Sequence, residues 1–202
     1  VARQRGQQVG AANNVALSSG IRVGMMLTDA QALISGIPGL AVHDLTPERD
    51  DKALASLADW CSRYSPWVAS DNKDGDYGIC LDVTGCAHLF GGEASMLDDI
   101  SRRLTDFSIQ AQIAIADSLG AAWAVARYGV CSGGGTTAIV PRGGVKAALD
   151  RLPVSALRLS VEAENGLARL GLGRIGELWS LPRGALTVRF GREVVYRLDQ
   201  AL

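Results

Sequence analysis

The acids that could do chemistry in this chain gather in one stretch. Asp71, Asp74 and Asp76 fall within Ser70-Asp71-Asn72-Lys73-Asp74-Gly75-Asp76, and Asp82 follows six residues after Asp76. Paired carboxylates can hold two divalent cations that steady the oxygens of a phosphoryl transfer, provided the metals sit a few ångströms apart. Asp76 and Asp82 share a strand face by parity, yet six residues of extended chain separate them by roughly 20 Å. No two-metal site spans that distance, and three acids around a glycine read as a solvated turn. Cys61, Cys80, Cys86 and Cys131 match no zinc spacing, although Cys86-Ala87-His88 brings two ligand types close. They read as reduced, mostly buried thiols. Two histidines are too few and too isolated for a His-based catalytic site, so no metal or cofactor is expected.

Arginines form the second grouping. Residues 151–202 hold eight Arg and no Lys against Glu162, Glu164, Glu177, Glu193 and Asp199, a balance of +3 that leaves −4 on the first 150 residues. Guanidinium binds phosphate through two parallel N–H groups, so an all-Arg excess suits contact with a phosphate backbone. A solvated helical surface would give the same composition.

The elements that must position these residues follow from periodicity and breakers. A helix is expected over Ala11–Ser19, ended by Gly20, and another from Thr28 to Gly36, joined by the tight connector Gly20-Ile21-Arg22-Val23-Gly24. From Thr46, Leu54, Leu57, Ala58 and Cys61 recur at helical spacing until Ser65-Pro66. The polar turn then leads into a strand, Tyr77–Val83, with Ile79, Leu81 and Val83 on one face and Gly78, Cys80 and Asp82 on the other. A helix at Ser95–Phe107 carries Met96, Leu97, Ile100 and Leu104 on its apolar side. A strand at Ile109–Ala116 and a helix opening on Asp117 and closing before Gly129 complete an α+β layer, one sheet backed by helices. Gly133-Gly134-Gly135 reads as a boundary, with short helices beyond it.

At 202 residues and 48% hydrophobic, the chain can bury a real core. No apolar run approaches the ~20 residues of a membrane span. The start, Val-Ala-Arg-Gln-Arg, carries no initiator Met or signal pattern, so a cytoplasmic piece of a longer protein is expected.

Three ordered segments resemble the Y-family, or translesion, DNA polymerases: Asn13–Thr28 with its Gly-Ile-Arg-Val-Gly-Met connector, Leu81-Asp82-Val83-Thr84, and Leu170-Gly171-Leu172-Gly173-Arg174-Ile175-Gly176-Glu177-Leu178 followed by Arg189-Phe190-Gly191. The run Leu81 to Glu93, the segment Ala121–Arg127 and Leu181-Pro182-Arg183-Gly184-Ala185-Leu186 are similar to the ImuB subfamily. The resemblance implies a polymerase palm-type sheet backed by helices, with a fingers segment over 1–45, a palm over 46–131 whose first strand lies upstream, and a helical, helix-hairpin-helix-like thumb over 132–202. It also implies a damage-induced mutagenesis factor held to be inactive as a polymerase. The partners it implies are DNA, a replicative-type error-prone polymerase, a RecA-like accessory protein and the sliding clamp.

The same resemblance places the family's adjacent catalytic Asp-Glu pair on Tyr77 and Gly78, neither of which offers a carboxylate. Its triphosphate-gripping Tyr and Arg fall on Asn14 and Leu17, and its palm Lys on Trp123. The thumb's Gly-apolar-Gly turn falls near Ser160-Val161-Glu162, without the glycines. DNA contact is then expected from Arg158, Arg169, Arg174, Arg183 and Arg189, with Gly171 and Gly173 in the well-matched segment. The expectation is a non-catalytic, polymerase-shaped scaffold in DNA repair. The alternative is an active Y-family polymerase with an unusual carboxylate set, in which case Mg²⁺ would be its cofactor.

Overall fold

The computed structural model describes residues 6–35, 41–73, 76–130 and 135–202. Its contacts divide the chain into two compact units, Val1–Leu57 with Asn72–Tyr77, and Ala58–Asp71 with Gly78–Leu202.

In the first unit, helix α1 (Asn14–Ser18) starts where the Asn13 side chain accepts the Ala16 N–H at 2.9 Å. It is shorter than the expected Ala11–Ser19. Gly20 and Gly24 have φ of 93° and 84°, which only glycine adopts without strain, and this closes the connector. Helix α2 (Leu27–Ile34) opens one residue before the expected Thr28, because Leu27 N–H is fixed to the Gln7 carbonyl at 2.9 Å. Ala16, Ile21 and Ala30 form a small core.

Helix α3 (Pro47–Cys61) begins with proline at its first position and Glu48 and Asp50 in its first turn, both favourable at the positive end of the helix dipole. Two strands follow, β1 (Val68–Lys73) and β2 (Asp76–Leu81), paired in a two-stranded sheet. Ser70–Lys73, expected as turn, is therefore strand: extended chain places alternate polar side chains on opposite faces, where each can find a partner or water. Asp74 and Gly75 lie outside the described residues. A 3₁₀ turn at Ala87–Phe90 leads into helix α4 (Glu93–Asp106), which buries Met96, Leu97, Ile100 and Leu104 as its periodicity requires.

Strand β3 is only Ile113–Ile115, shorter than the expected Ile109–Ala116, because Ile109 N–H closes the end of α4 on the Leu104 carbonyl at 2.8 Å. Helix α5 (Leu119–Ala124) is capped by Ser118 and not by Asp117, and widens into a π-helical turn over Val125–Gly129. Asp117 instead accepts the Gly143 N–H at 2.9 Å. Gly133 and Gly134 lie outside the described residues. Beyond them the chain is not purely helical: β4 (Thr137–Ile139) pairs parallel with β3, Ala114 opposite Ala138. Three residues carry no legible alternation, and pairing with a distant strand decides their state.

The C-terminal part runs α6 (Val145–Leu149), a 3₁₀ turn at Val154–Leu157, α7 (Val161–Ala168), α8 (Ile175–Trp179), α9 (Arg183–Phe190) and α10 (Arg192–Ala201). Leu149, Leu167, Ile175, Leu178, Val194 and Leu198 are fully buried in one core shared with Ala121 and Ala124 of α5. Each such side chain contributes about 1.5–3 kcal/mol. Gly120 allows the approach of α10, since a Cβ there would stand 2.8 Å from the Gln200 carbonyl. Among the described residues no helix is long and apolar enough to cross a membrane.

Candidate functional site

Alternation along β2 puts Gly78 and Cys80 on one face. The Cys80 thiol is pushed up, first by burial and then by the Asp71 carboxylate, with Arg158 opposing, so that pair lies beside it. Arg158 donates through both terminal nitrogens to the two oxygens of Asp71, one contact measuring 3.0 Å. Its guanidinium carbon also stands 4.8 Å from the centre of the Trp123 ring, which in turn meets Tyr128 from the π-helical turn at 6.1 Å. The Arg158 and Asp71 side chains are 20% and 21% exposed. Arg158 has φ 56° and ψ 46°, a left-handed conformation that costs a non-glycine residue about 1 kcal/mol. The bidentate ion pair and the stacking on Trp123 offset that cost.

Gly78 has open space around it, since an added Cβ meets nothing within 4 Å, and Tyr77 is 41% exposed. Asp82 lies past the end of β2, and its carboxylate accepts the Thr84 N–H at 2.9 Å. Hydrogen bonds from Thr84 hold Asp82 below the usual carboxylate range. Among the described residues no three His, Cys, Asp or Glu side chains gather to hold a metal. Tyrosine and glycine supply no carboxylate, and the Asp71 oxygens are taken by Arg158. These residues do not fit a Mg²⁺ pair.

The thumb-like segment is arranged differently. Gly166 in α7 lets Phe190 of α9 close in, its Cβ position lying 3.2 Å from the ring. The result is an open groove of about 350 Å³ lined by Ser160, Glu162, Arg169, Leu170, Arg189 and Phe190, among others. Arg169 and Arg189 are exposed, and among the described residues neither has a carboxylate partner. The Arg174 guanidinium likewise has no carboxylate partner among the described residues, whereas Arg183 meets Asp199 at 3.1 Å.

Two backbone turns frame this region. Arg158–Ser160 leads into α7, so the turn precedes the expected Ser160-Val161-Glu162, whose last two residues already belong to the helix. Gly171, with φ 73°, ends the Leu170-Gly171 turn after α7. Gly173 and Arg174 donate their N–H groups to the Glu177 carboxylate at 2.7 and 2.9 Å, which caps α8. An antiparallel bridge between Pro153 and Arg174 ties the start of the Val154–Leu157 turn to the start of α8.

The model of the impB/mucB/samB family matches residues 1–127. The chain belongs to the impB/mucB/samB family. It is 49% identical over 183 residues to the protein ImuB of Caulobacter vibrioides, covering 91% of this chain and 38% of that protein. It is 31% identical over 197 residues to DNA polymerase IV of Dehalococcoides mccartyi, covering 96% of this chain and 48% of the relative. The chain thus spans less than half the length of either. Its fold matches the Dbh DNA polymerase in an insertion ternary complex with a TM-score of 0.72 at 17% identity, over all of this chain and 57% of that one. This impB/mucB/samB chain is therefore Y-family polymerase-like, with a mixed α+β fold.

Set against the sequence, the structure of this impB/mucB/samB chain regroups the candidate residues. Arg158 and Trp123, assigned above to DNA and triphosphate positions, are brought together with Asp71 against Cys80. Leu17 is exposed on α1, and the side chain of Asn14 lies outside the described ones. Arg169 and Arg189 converge on one groove. Two residues went unread: Asp71, taken as part of a solvated turn, and Glu193, which binds Ser160. Glu177 was readable as the acid three positions into a helix.

Proposed function

We propose that this chain is the DNA-binding, polymerase-shaped part of a damage-tolerance scaffold and does not itself transfer nucleotides. The observation that carries the reading is the palm face around Gly78. Where the family resemblance puts the metal-holding Asp-Glu pair, the chain has Tyr77 and Gly78, and the charged groups that act on Cys80, on the Gly78 face, are the paired Asp71 and Arg158. Phosphoryl transfer relies on cations that stabilise the attacking and leaving oxygens. A closed ion pair supplies neither free carboxylates nor a free cation for that task. The fold survives because the packing of α5, α7, α8 and α10 rests on other residues than the chemistry does.

DNA would lie against the thumb-like segment, with Arg169, Arg174 and Arg189 as phosphate contacts and Arg183 shared with Asp199. A replicative-type error-prone polymerase, a RecA-like accessory protein and the sliding clamp are the partners such a scaffold would bring to the lesion. The relation to ImuB supports this setting. The relation to DNA polymerase IV favours the competing reading of an active enzyme. Primer extension on a template, with Mg²⁺ or Mn²⁺ and all four nucleotides, separates the two. The scaffold gives no product; templated extension that is lost in Asp82→Asn or Asp76→Asn would overturn the proposal.

A further inference from the structure

The turn that enters α7 donates to a carboxylate of the protein itself. Ser160 N–H meets one oxygen of Glu193 at 3.0 Å, and the Ser160 hydroxyl meets the other at 2.7 Å. The same hydroxyl accepts the Ala163 N–H at 3.4 Å, so Ser160 is both the cap of α7 and the seat of an anion. Glu193 comes from the first turn of α10, 33 residues away. Two oxygens of one anion, bridged by a backbone N–H and a hydroxyl at a helix N-terminus, is the arrangement by which such a terminus receives a phosphate. Ser160 also lines the groove that holds Arg169 and Arg189.

We infer that Glu193 is an internal competitor for a DNA backbone phosphate at the Ser160 turn, so that this thumb meets DNA through its free guanidinium groups while the turn stays closed. The inference rests on the DNA-binding reading above and concerns regulation of that same surface. Glu193 acts in two ways. It consumes the two donors of Ser160, and it adds a negative charge beside a groove that already contains Glu162. Removing it exposes donors next to two unpaired arginines. A phosphate seated there would then be bound by the backbone N–H, the hydroxyl and the local cationic field together.

The test uses the full chain and a fluorescent duplex with a single-stranded overhang, titrated from about 50 to 200 mM salt, a range over which phosphate contacts weaken steeply. Glu193→Ala is expected to tighten binding about tenfold, the value of one charge-assisted hydrogen bond. It should also steepen the log–log salt dependence, by at most about one unit, because one negative charge leaves the DNA-facing surface. Glu193→Gln removes the charge and keeps an acceptor for Ser160, so it should fall between the two and guards against a folding defect in the alanine variant. Arg169→Gln/Arg189→Gln is the separate arm. Loss of binding there with no gain in either Glu193 variant overturns the competitor and leaves DNA binding standing. No binding by the native chain, with binding gained in Glu193→Ala, supports the competitor while removing the native DNA-binding reading. A lowered Tm in both Glu193 variants with unchanged affinity makes the contact purely structural and overturns the inference.

Discussion

The face of the β1–β2 hairpin and the groove between α7 and α9 both carry arginine, and they use it in opposite ways. On the hairpin face Arg158 is paired with Asp71, laid on Trp123 and four-fifths buried. In the groove Arg169 and Arg189 stand in solvent, with no carboxylate partner among the described residues. A desolvated guanidinium must be matched by a carboxylate, because breaking such a pair leaves an uncompensated buried charge. An exposed one contributes little to stability and remains available to a ligand. Charge on the hairpin face thus serves the fold, whereas the groove's arginines stay open to solvent.

The largest effect should come from opening the hairpin pair. Arg158→Ala is expected to cost about 2–3 kcal/mol, less than a fully buried pair because both side chains retain some solvent. Arg158→Gly should cost about 1 kcal/mol less than alanine, since glycine accepts the left-handed backbone that Arg158 is held in. Urea unfolding of the two variants, with Asp71→Ala and the double variant to complete the cycle, measures the coupling. Equal costs for glycine and alanine, or no coupling to Asp71, would break the contrast between the regions.

In the groove the order should reverse. Arg169→Gln/Arg189→Gln should change stability by no more than about 0.5 kcal/mol, as for surface positions without partners. DNA affinity at low salt should fall by about tenfold or more, and the log–log salt slope should shrink by about two units. A melting transition displaced as far as that of Arg158→Ala would mean that these side chains also serve the fold. Unchanged DNA binding would move the interface elsewhere.

Local rules placed what local physics decides. The apolar face of α4 follows from Met96, Leu97, Ile100 and Leu104 at helical spacing, and Gly20, Gly24 and Gly171 mark turns that need positive φ. Composition also found the arginine-rich segment. It could not sort free arginines from paired ones, because Asp71 lies 87 residues from Arg158 and Glu193 lies 33 from Ser160. β1 was missed for a different reason: its polar residues read as turn until pairing with the adjacent β2 makes them strand. β4 is three residues long, and only its register with β3 defines it. Apart from β1, what stayed hidden was a partner distant in sequence.

The smallest effect concerns a second anchor, just past the end of α3, and it tests whether paired charges outside the groove in general serve the fold. Tyr64 is buried, with Trp60 at 5.7 Å and Phe90 at 5.1 Å between ring centres. Its hydroxyl donates to Asp99 at 2.7 Å, where Arg103 also donates at 2.8 Å. Burial first, and then the bond to Asp99, pushes Tyr64 up to about 12. The unfolded chain releases this proton near pH 10, so the stabilisation is complete below about pH 10 and is lost as pH climbs through about 12. Tyr64→Phe should cost about 1 kcal/mol near neutrality, the net value of one hydrogen bond. It should also remove that alkaline loss, so native and variant stabilities, measured by denaturant unfolding at stepped pH, converge between about 10 and 12. Parallel curves across that window would show that Asp99 is held by Arg103 and Arg102 alone, and that polar contacts outside the groove do not all carry structural weight.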